Sequence, residues 1–281
     1  MRRTIPLLAA LLLCACKTRL WTLHDPGSDL DAGSLSSSDL MLPLVCRDIW
    51  VVDEDGTFSA FDTQSAEFRD IATLECAPSI APETMAVDRA GTAWVLYSDG
   101  RLFQVDVATA ACRPTAFVNT QLSNNQEMGS CFSANTPGGT SETYFVELGT
   151  EQSLASINTQ SLELTRIARL MGPAELTGTG DAELWGFFPA SPTSLIARID
   201  KTTAALDRQI SLPQVDSVSV GSFAFAFWGG EFWVFYSTST SDTAVFRVHP
   251  VSGQVTQVLA HTGRHIRGAG TSSCAPVGLD L

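Results

Sequence analysis

Glu83, Glu127 and Glu175 occupy the same place in three copies of a repeated pattern. Each stands just ahead of a short apolar or small-residue run: Pro82-Glu83-Thr84-Met85, Gln126-Glu127-Met128-Gly129 and Ala174-Glu175-Leu176-Thr177. Arg267 holds the corresponding place in a further copy, Ile266-Arg267-Gly268. Carboxylates gathered in one site attract a cation such as calcium, or a basic group of a ligand. The competing reading is a solvated rim with one salt bridge. No cofactor beyond such a calcium ion is implied.

No other stretch spells out a reaction. The chain holds no G-x-S-x-G elbow, no H-E-x-x-H, no G-x-G-x-x-G and no phosphate-binding loop. Its four histidines are His24, His249, His261 and His265. His261 and His265 have the i, i+4 spacing of a helical metal pair, but Gly263 and the surrounding strand pattern argue against a helix. Asp53-x-Asp55-Gly56 lacks the third carboxylate and the distal Glu of a calcium loop. Gly129-Ser130-Cys131 and Ser272-Ser273-Cys274 contain nucleophile types with no base beside them in sequence, so buried or paired cysteines are the better reading.

The elements that would position these residues are short strands. Pro82 to Phe117 contains four apolar runs: Met85–Asp88, Ala93–Tyr97, Leu102–Val107 and Cys112–Phe117. Turn signals separate them, among them Asp99-Gly100, where Gly reaches positive φ without a Cβ clash. Four such strands in succession make an antiparallel meander. The second strand recurs around Trp50, Trp94, Tyr144, Trp185 and Trp233, at intervals between 41 and 50 residues. The end of the third recurs at Asp62, Asp106, Asn158, Asp200 and His249 with nearly the same rhythm. A period in the forties with four strands per unit is the signature of a β-propeller. The fold is therefore expected to be all-β: a single propeller of five four-stranded blades.

Two details of the repeat are mechanical. The Asp and Asn residues closing the third strands accept N–H groups two residues on and so set the turn into the fourth strand. The first strands alternate small residues, as in Leu176-Thr177-Gly178-Thr179 and Ile266-Arg267-Gly268-Ala269-Gly270-Thr271. Innermost strands converge on the axis, where only small side chains let backbones approach. Asn135 to Ser141 reads as a loop inserted in the third unit.

The Ile266–Thr271 run has no second strand after it, and the Trp50 unit has no clear first strand before it. The C-terminal strand is expected to complete the first blade, closing the ring and removing a free sheet edge. Cys46 lies three residues before Ile49, and Cys274 three after Thr271. In an antiparallel pair those positions face each other, so a Cys46–Cys274 disulfide is predicted. Cys76, Cys112 and Cys131 are not paired by this argument.

The first residues differ in kind. Met1-Arg2-Arg3, an apolar run from Ile5 to Leu13 and small residues before a cysteine are the parts of an export signal, too short to span a bilayer as a helix. Leu13-Cys14-Ala15-Cys16 resembles the bacterial lipobox. That resemblance implies cleavage before Cys16, acylation of Cys16 and attachment to a membrane; the alternative is an ordinary secretory signal. Residue 17 is Lys, and by resemblance to enterobacterial sorting nothing retains the protein at the inner membrane. The expected divisions are a lipoprotein signal peptide at 1–15, a Gly/Ser-rich tether at 16–44 and the propeller at 45–281. The expected location is the bacterial cell envelope, at the outer membrane. The net charge is −13 over the whole chain and more negative once Arg2 and Arg3 leave. Such a chain repels phosphate backbones, so nucleic acid is excluded as a partner.

Gly91-Thr92-Ala93-Trp94-Val95-Leu96, Ala174-Glu175-Leu176-Thr177-Gly178-Thr179-Gly180, Ala224-Phe225-Ala226-Phe227-Trp228-Gly229-Gly230 and Gly268-Ala269-Gly270-Thr271-Ser272-Ser273-Cys274 resemble motifs of uncharacterised bacterial propeller lipoproteins with WD40-like or YVTN-like repeats. The resemblance implies the fold and the anchor and assigns no catalytic residue. The first functional expectation is a lipid-anchored binding or scaffold module that presents a face to an envelope protein, peptide or glycan. The alternative is a hydrolase or lyase acting on a sugar or lactone at the channel mouth, as other five-bladed propellers do. A third is a structural envelope component. Enzymes of that kind place several carboxylates or histidines on channel-facing strand ends. Here those ends are mostly Gly, Ala, Thr and apolar, with only the three glutamates and Asp88, which favours binding.

Overall fold

Each meander of the repeat folds into one four-stranded antiparallel sheet. In a computed structural model, residues 42–118, 128–149, 151–189, 193–215 and 219–278 are described. The expected signal peptide, Cys16, nearly all of the tether, and Glu127 lie outside them. A single turn of helix, α1 (Leu44–Arg47), opens the described chain, with Val45 and Cys46 buried. Leu42 already packs against the same core cluster.

The strands follow in chain order. Blade I receives β1 (Ile49–Asp53), β2 (Thr57–Asp62) and β3 (Glu67–Thr73). Blade II is β4 (Pro82–Val87), β5 (Thr92–Tyr97), β6 (Arg101–Asp106) and β7 (Cys112–Val118). Blade III is β8 (Ser130–Ala134), β9 (Glu142–Leu148), β10 (Ser153–Ile157) and β11 (Leu164–Arg169). Blade IV is β12 (Glu175–Gly178), β13 (Leu184–Phe188), β14 (Ser194–Ile199) and β15 (Leu206–Leu212). Blade V is β16 (Val220–Trp228), β17 (Glu231–Thr238), β18 (Ala244–Val248) and β19 (Val255–Leu259). The last strand, β20 (Ile266–Gly270), returns to blade I, whose order is β20-β1-β2-β3. Its register is Trp50 opposite Gly270, Val51 opposite Ala269 and Val52 opposite Gly268. The fold is thus a five-bladed propeller closed by its C-terminal strand.

The core lies between blades. Strand alternation sends Trp50 and Val52 to one face of blade I and Ile49 and Val51 to the other. The first pair joins the cluster shared with blade II and the second joins the cluster shared with blade V. Three further clusters fill the remaining interfaces between successive blades. Trp94 meets Phe132 and Tyr144 across the boundary of blades II and III, with ring centroids 6.3 and 5.8 Å apart. The conspicuous aromatics of the second strands are therefore packing residues.

The five innermost strands, β4, β8, β12, β16 and β20, contact one another in a closed ring. Their small residues are there because of that approach. A Cβ on Gly178 would lie 2.2 Å from the Phe132 carbonyl oxygen and 2.4 Å from Ser133 Cβ. A Cβ on Gly129, just before β8, would lie 2.0 Å from the Ala174 oxygen.

The turns between third and fourth strands repeat in all five blades. Asp62, Asp106, Asn158 and Asp200 each accept the N–H two residues on, at 2.7, 3.1, 2.9 and 2.9 Å. In blade V the Nδ1 of His249 does the same for Val251, at 3.2 Å. The residue four positions after each acceptor has positive φ: Ala66, Ala110, Leu162, Ala204 and Gly253.

Two disulfides are present. Cys46–Cys274 ties the residue just ahead of β1 to the segment just after β20. Cys76–Cys112 ties the connector between blades I and II to the outer strand of blade II. Cys131 is a free, buried thiol.

Candidate functional site at the channel mouth

All five innermost strands start at the same end of the channel. A pocket opens there, lined by Glu83 of β4, Glu175 of β12, Ser222 and Phe223 of β16, Arg267 of β20 and Met128. It outlines about 290 Å³, most of it open to solvent. The enclosed part has room for about one water molecule. The sequence placed Glu83 and Glu175 just before their strands. In the structure both are strand residues, because β4 and β12 begin one to three residues earlier than the apolar runs suggest.

Their environments differ. Glu175 is only 3% exposed and its carboxylate spans blades. The Thr84 hydroxyl of blade II donates to its Oε1 at 2.8 Å. The Ser130 N–H of blade III and the Leu176 N–H donate to its Oε2, each at 3.2 Å. Thr84 and Ser130 hydroxyls are themselves 3.2 Å apart. Glu175 is therefore a keystone of the inner ring with a face on the pocket floor.

Glu83 is half-buried and, among the described residues, makes no hydrogen bond and no ion pair. Burial pushes its carboxyl up, and the nearby positive charge of Arg267 opposes that rise. Arg267 keeps a buried Nε with no hydrogen-bond partner. Among the described residues its one ion-pair contact is a long 3.9 Å approach of Nη2 to Glu54. Two opposite charges thus share one pocket without closing on each other. The hydroxyl of Ser222 is already committed to Ser237, at 2.8 Å, and to the Ile266 carbonyl, at 3.1 Å.

A hydrogen-bonded triad lies past the other ends of β4 and β20. Arg89 donates from Nε to Ser273 Oγ and from Nη2 to the Ser273 carbonyl, both at 2.8 Å. Ser273 Oγ donates to Glu142 Oε2 at 2.6 Å, and the Arg89 N–H donates to Glu142 Oε1 at 2.8 Å. Blades I, II and III are joined by this triad, and burial raises the Glu142 carboxyl. Ser273 is 1% exposed, so its short contact with a carboxylate is a structural bond rather than an exposed nucleophile–base pair. Burial also drives the Cys131 thiol far above its ordinary range, which keeps it protonated and unreactive.

A second ionic cluster sits beside the mouth. Arg264 donates from Nη1 to Asp53 at 3.1 Å and to Ser59 Oγ at 3.0 Å, and its Nη2 bonds Asp70. Its guanidinium lies over the Phe68 ring, 4.8 Å from the centroid. Here the lead-in to β20 is clasped to β1, β2 and β3. Among the described residues no group of three or more His, Cys, Asp or Glu could hold a metal ion. His261 instead bonds Asp242 at 2.8 Å on the surface, and Asp88 caps its own turn while accepting the Trp94 indole N–H at 3.0 Å.

Sequence reasoning singled out Glu83, Glu175 and Arg267, and the structure brings them to one pocket. It passed over Thr84 and Ser130 as partners of Glu175, and Arg89 and Glu142 as partners of Ser273. The only signal for them is their position at the ends of first strands or of the turns that follow.

No protein-family model and no curated protein matches the chain. Solved structures of similar fold include a chain of the nidogen/laminin complex, 13% identical over 80% of this chain and 81% of that one, with a TM-score of 0.49. Another is a protein of unknown function from Bacteroides caccae, 10% identical over 79% of this chain and 97% of that one, with a TM-score of 0.48. Likenesses of this size bear on neither family nor ligand.

Proposed function

We propose that the protein is a binding module of the bacterial cell envelope, held to a membrane by lipid on Cys16 and recognising an envelope protein, peptide or glycan at the channel mouth. The observation that carries the reading is the mouth pocket, where Glu83 and Arg267 stand half-buried and unpaired by each other. Leaving a half-buried carboxylate such as Glu83 without a partner costs stability, and natural proteins tolerate that cost where a ligand repays it. The enclosed Ser273 and Cys131 weigh the same way, since neither nucleophile type is presented to a substrate.

The test is a quantitative pull-down from detergent-solubilised envelopes with two baits, the wild-type chain and a Glu83→Gln/Arg267→Met double variant. Species recovered by the first and lost by the second support the mouth as the recognition site. Identical recoveries would overturn it.

A further inference from the structure

We infer that the outer edge of blade V, strand β19, is a self-association surface: two copies of this chain pair there, β19 antiparallel to β19, across a two-fold axis through Gln257. This surface is separate from the mouth and does not depend on what binds there. Each blade ends in an outer strand, and among the described residues no further strand covers it. Such an edge presents unpaired N–H and C=O groups, and proteins that stay apart blunt it with charge or proline. Four of the five edges are blunted in this way. Glu67, Arg69 and Asp70 stand exposed on β3, Arg113 and Pro114 on β7, Arg166 and Arg169 on β11, and Asp207 and Arg208 on β15. Strand β19 is Val-Thr-Gln-Val-Leu and has neither device. Its bulge does not set it apart, because every outer strand pair carries one.

The absence of charge extends past the strand. From Pro250 to Ala260 there is no ionisable side chain. Val251, in the turn leading into β19, is 83% exposed. Charges at the borders are already engaged. Asp242 holds His261 at 2.8 Å, and Arg247, opposite Thr256 on β18, lies 3.4 Å from Glu231.

A second copy is the occupant that this charge pattern fits. Two chains of net charge −13 repel each other over most of their surfaces. At β19 they can approach with no like charges opposed. Full overlap of the five residues sets Gln257 opposite Gln257 of the second copy, Thr256 opposite Val258, and Val255 opposite Leu259. β-Branched residues pair well across antiparallel strands, and the two glutamine amides can bond each other. Five residues of edge bury less than a standard interface, so the dimer forms only at high protein concentration.

The experiment is sedimentation equilibrium of the full chain in density-matched detergent, disulfides intact, over a concentration series at low and high salt. A monomer–dimer equilibrium is expected that tightens with salt, because salt screens the net repulsion while the contact itself is uncharged. Gln257→Lys and Gln257→Glu each set like charges face to face and should weaken the dimer roughly tenfold or more. An equimolar mixture of the two should restore it, because opposite charges then meet. Sharing of micelles affects all variants alike. Gln257 is exposed, and circular dichroism melts matching the wild type show that both variants fold. A wild type that stays monomeric overturns the inference and leaves the edge to a strand of another protein. A dimer that both variants leave intact, or a mixture no tighter than either variant alone, overturns it as well.

Discussion

At the scale of single residues, the charged groups divide into those used by the fold and those left over. Asp53 belongs to the first set and makes a clear prediction. Burial pushes its carboxyl up to about 6 although Arg264 pulls the other way. The folded state therefore holds that proton more tightly than the unfolded chain. The resulting stabilisation is complete below about pH 4 and lost as pH rises through about 6. Asp70 acts in the opposite sense: Arg264 and Ser59 hold it below its ordinary value, so its contribution is present above that value and lost as pH falls through the depressed one. Asp53→Asn should remove the first effect alone. Urea unfolding at about pH 4 and about pH 7 should show the variant gaining up to about 3 kcal/mol on the wild type between the two. An unchanged difference would mean that Asp53 titrates as in the unfolded chain. None of this was legible in sequence. Arg264 lies 211 residues from Asp53 and 194 from Asp70. Glu175 is likewise 91 residues from Thr84 and 45 from Ser130. Sequence put Glu83, Glu175 and Arg267 at the starts of first strands, and all three line the pocket; Glu127 lies outside the described residues. Sequence did not show which carboxylate would be tied down, because its partners come from other blades.

At the scale of elements, turns and inner strands were read from local rules and hold because the rules are local. Asp62, Asp106, Asn158 and Asp200 cap their turns as their side-chain chemistry requires. His249 does so with a ring nitrogen, which the Asp/Asn rule did not foresee. His249→Asp restores the acceptor found in the other blades and is expected to preserve or raise stability, while His249→Ala should lose about 0.5–1 kcal/mol. Equal melting temperatures for the two variants would show that the bonds to Val251 and Ser252 contribute nothing. The inner strands make a stiffer demand. Gly178→Ala places a methyl group against the backbone of β8, so the ring must spread. Overpacking of this kind costs about 1–3 kcal/mol or more, and denaturant midpoints should fall accordingly. A neutral Gly178→Ala would mean that β8 and β12 approach less closely than described. The Cys76–Cys112 pair shows where local rules stop, since it depends on the path of the connector from blade I to blade II.

At the scale of the molecule, blade count and closure were legible because two markers repeat with one period and because one end of the sequence supplies what the other lacks. The Cys46–Cys274 bond follows from that closure and spans 228 residues. In the chain-entropy account it stabilises the fold by up to about 5 kcal/mol. Cys274→Ser should lower the unfolding free energy toward that extent while the sheet survives, because β20 still pairs with β1. Denaturant titrations of variant and wild type check this. A matched pair of curves would put the whole closure in strand pairing and the Arg264 clasp.

The same bond also decides how the ring bears a pull. Tension arriving from upstream of Leu42 reaches Cys46 before it reaches any strand. There it divides, one part entering β1 and the other crossing the sulfur bridge into β20. Two adjacent strands then carry the load in parallel, and blade I resists peeling from its first residue. In single-molecule stretching from residue 42 against a handle on blade IV, rupture force should drop on addition of reductant. A force unmoved by reduction would show that the bridge carries no tension.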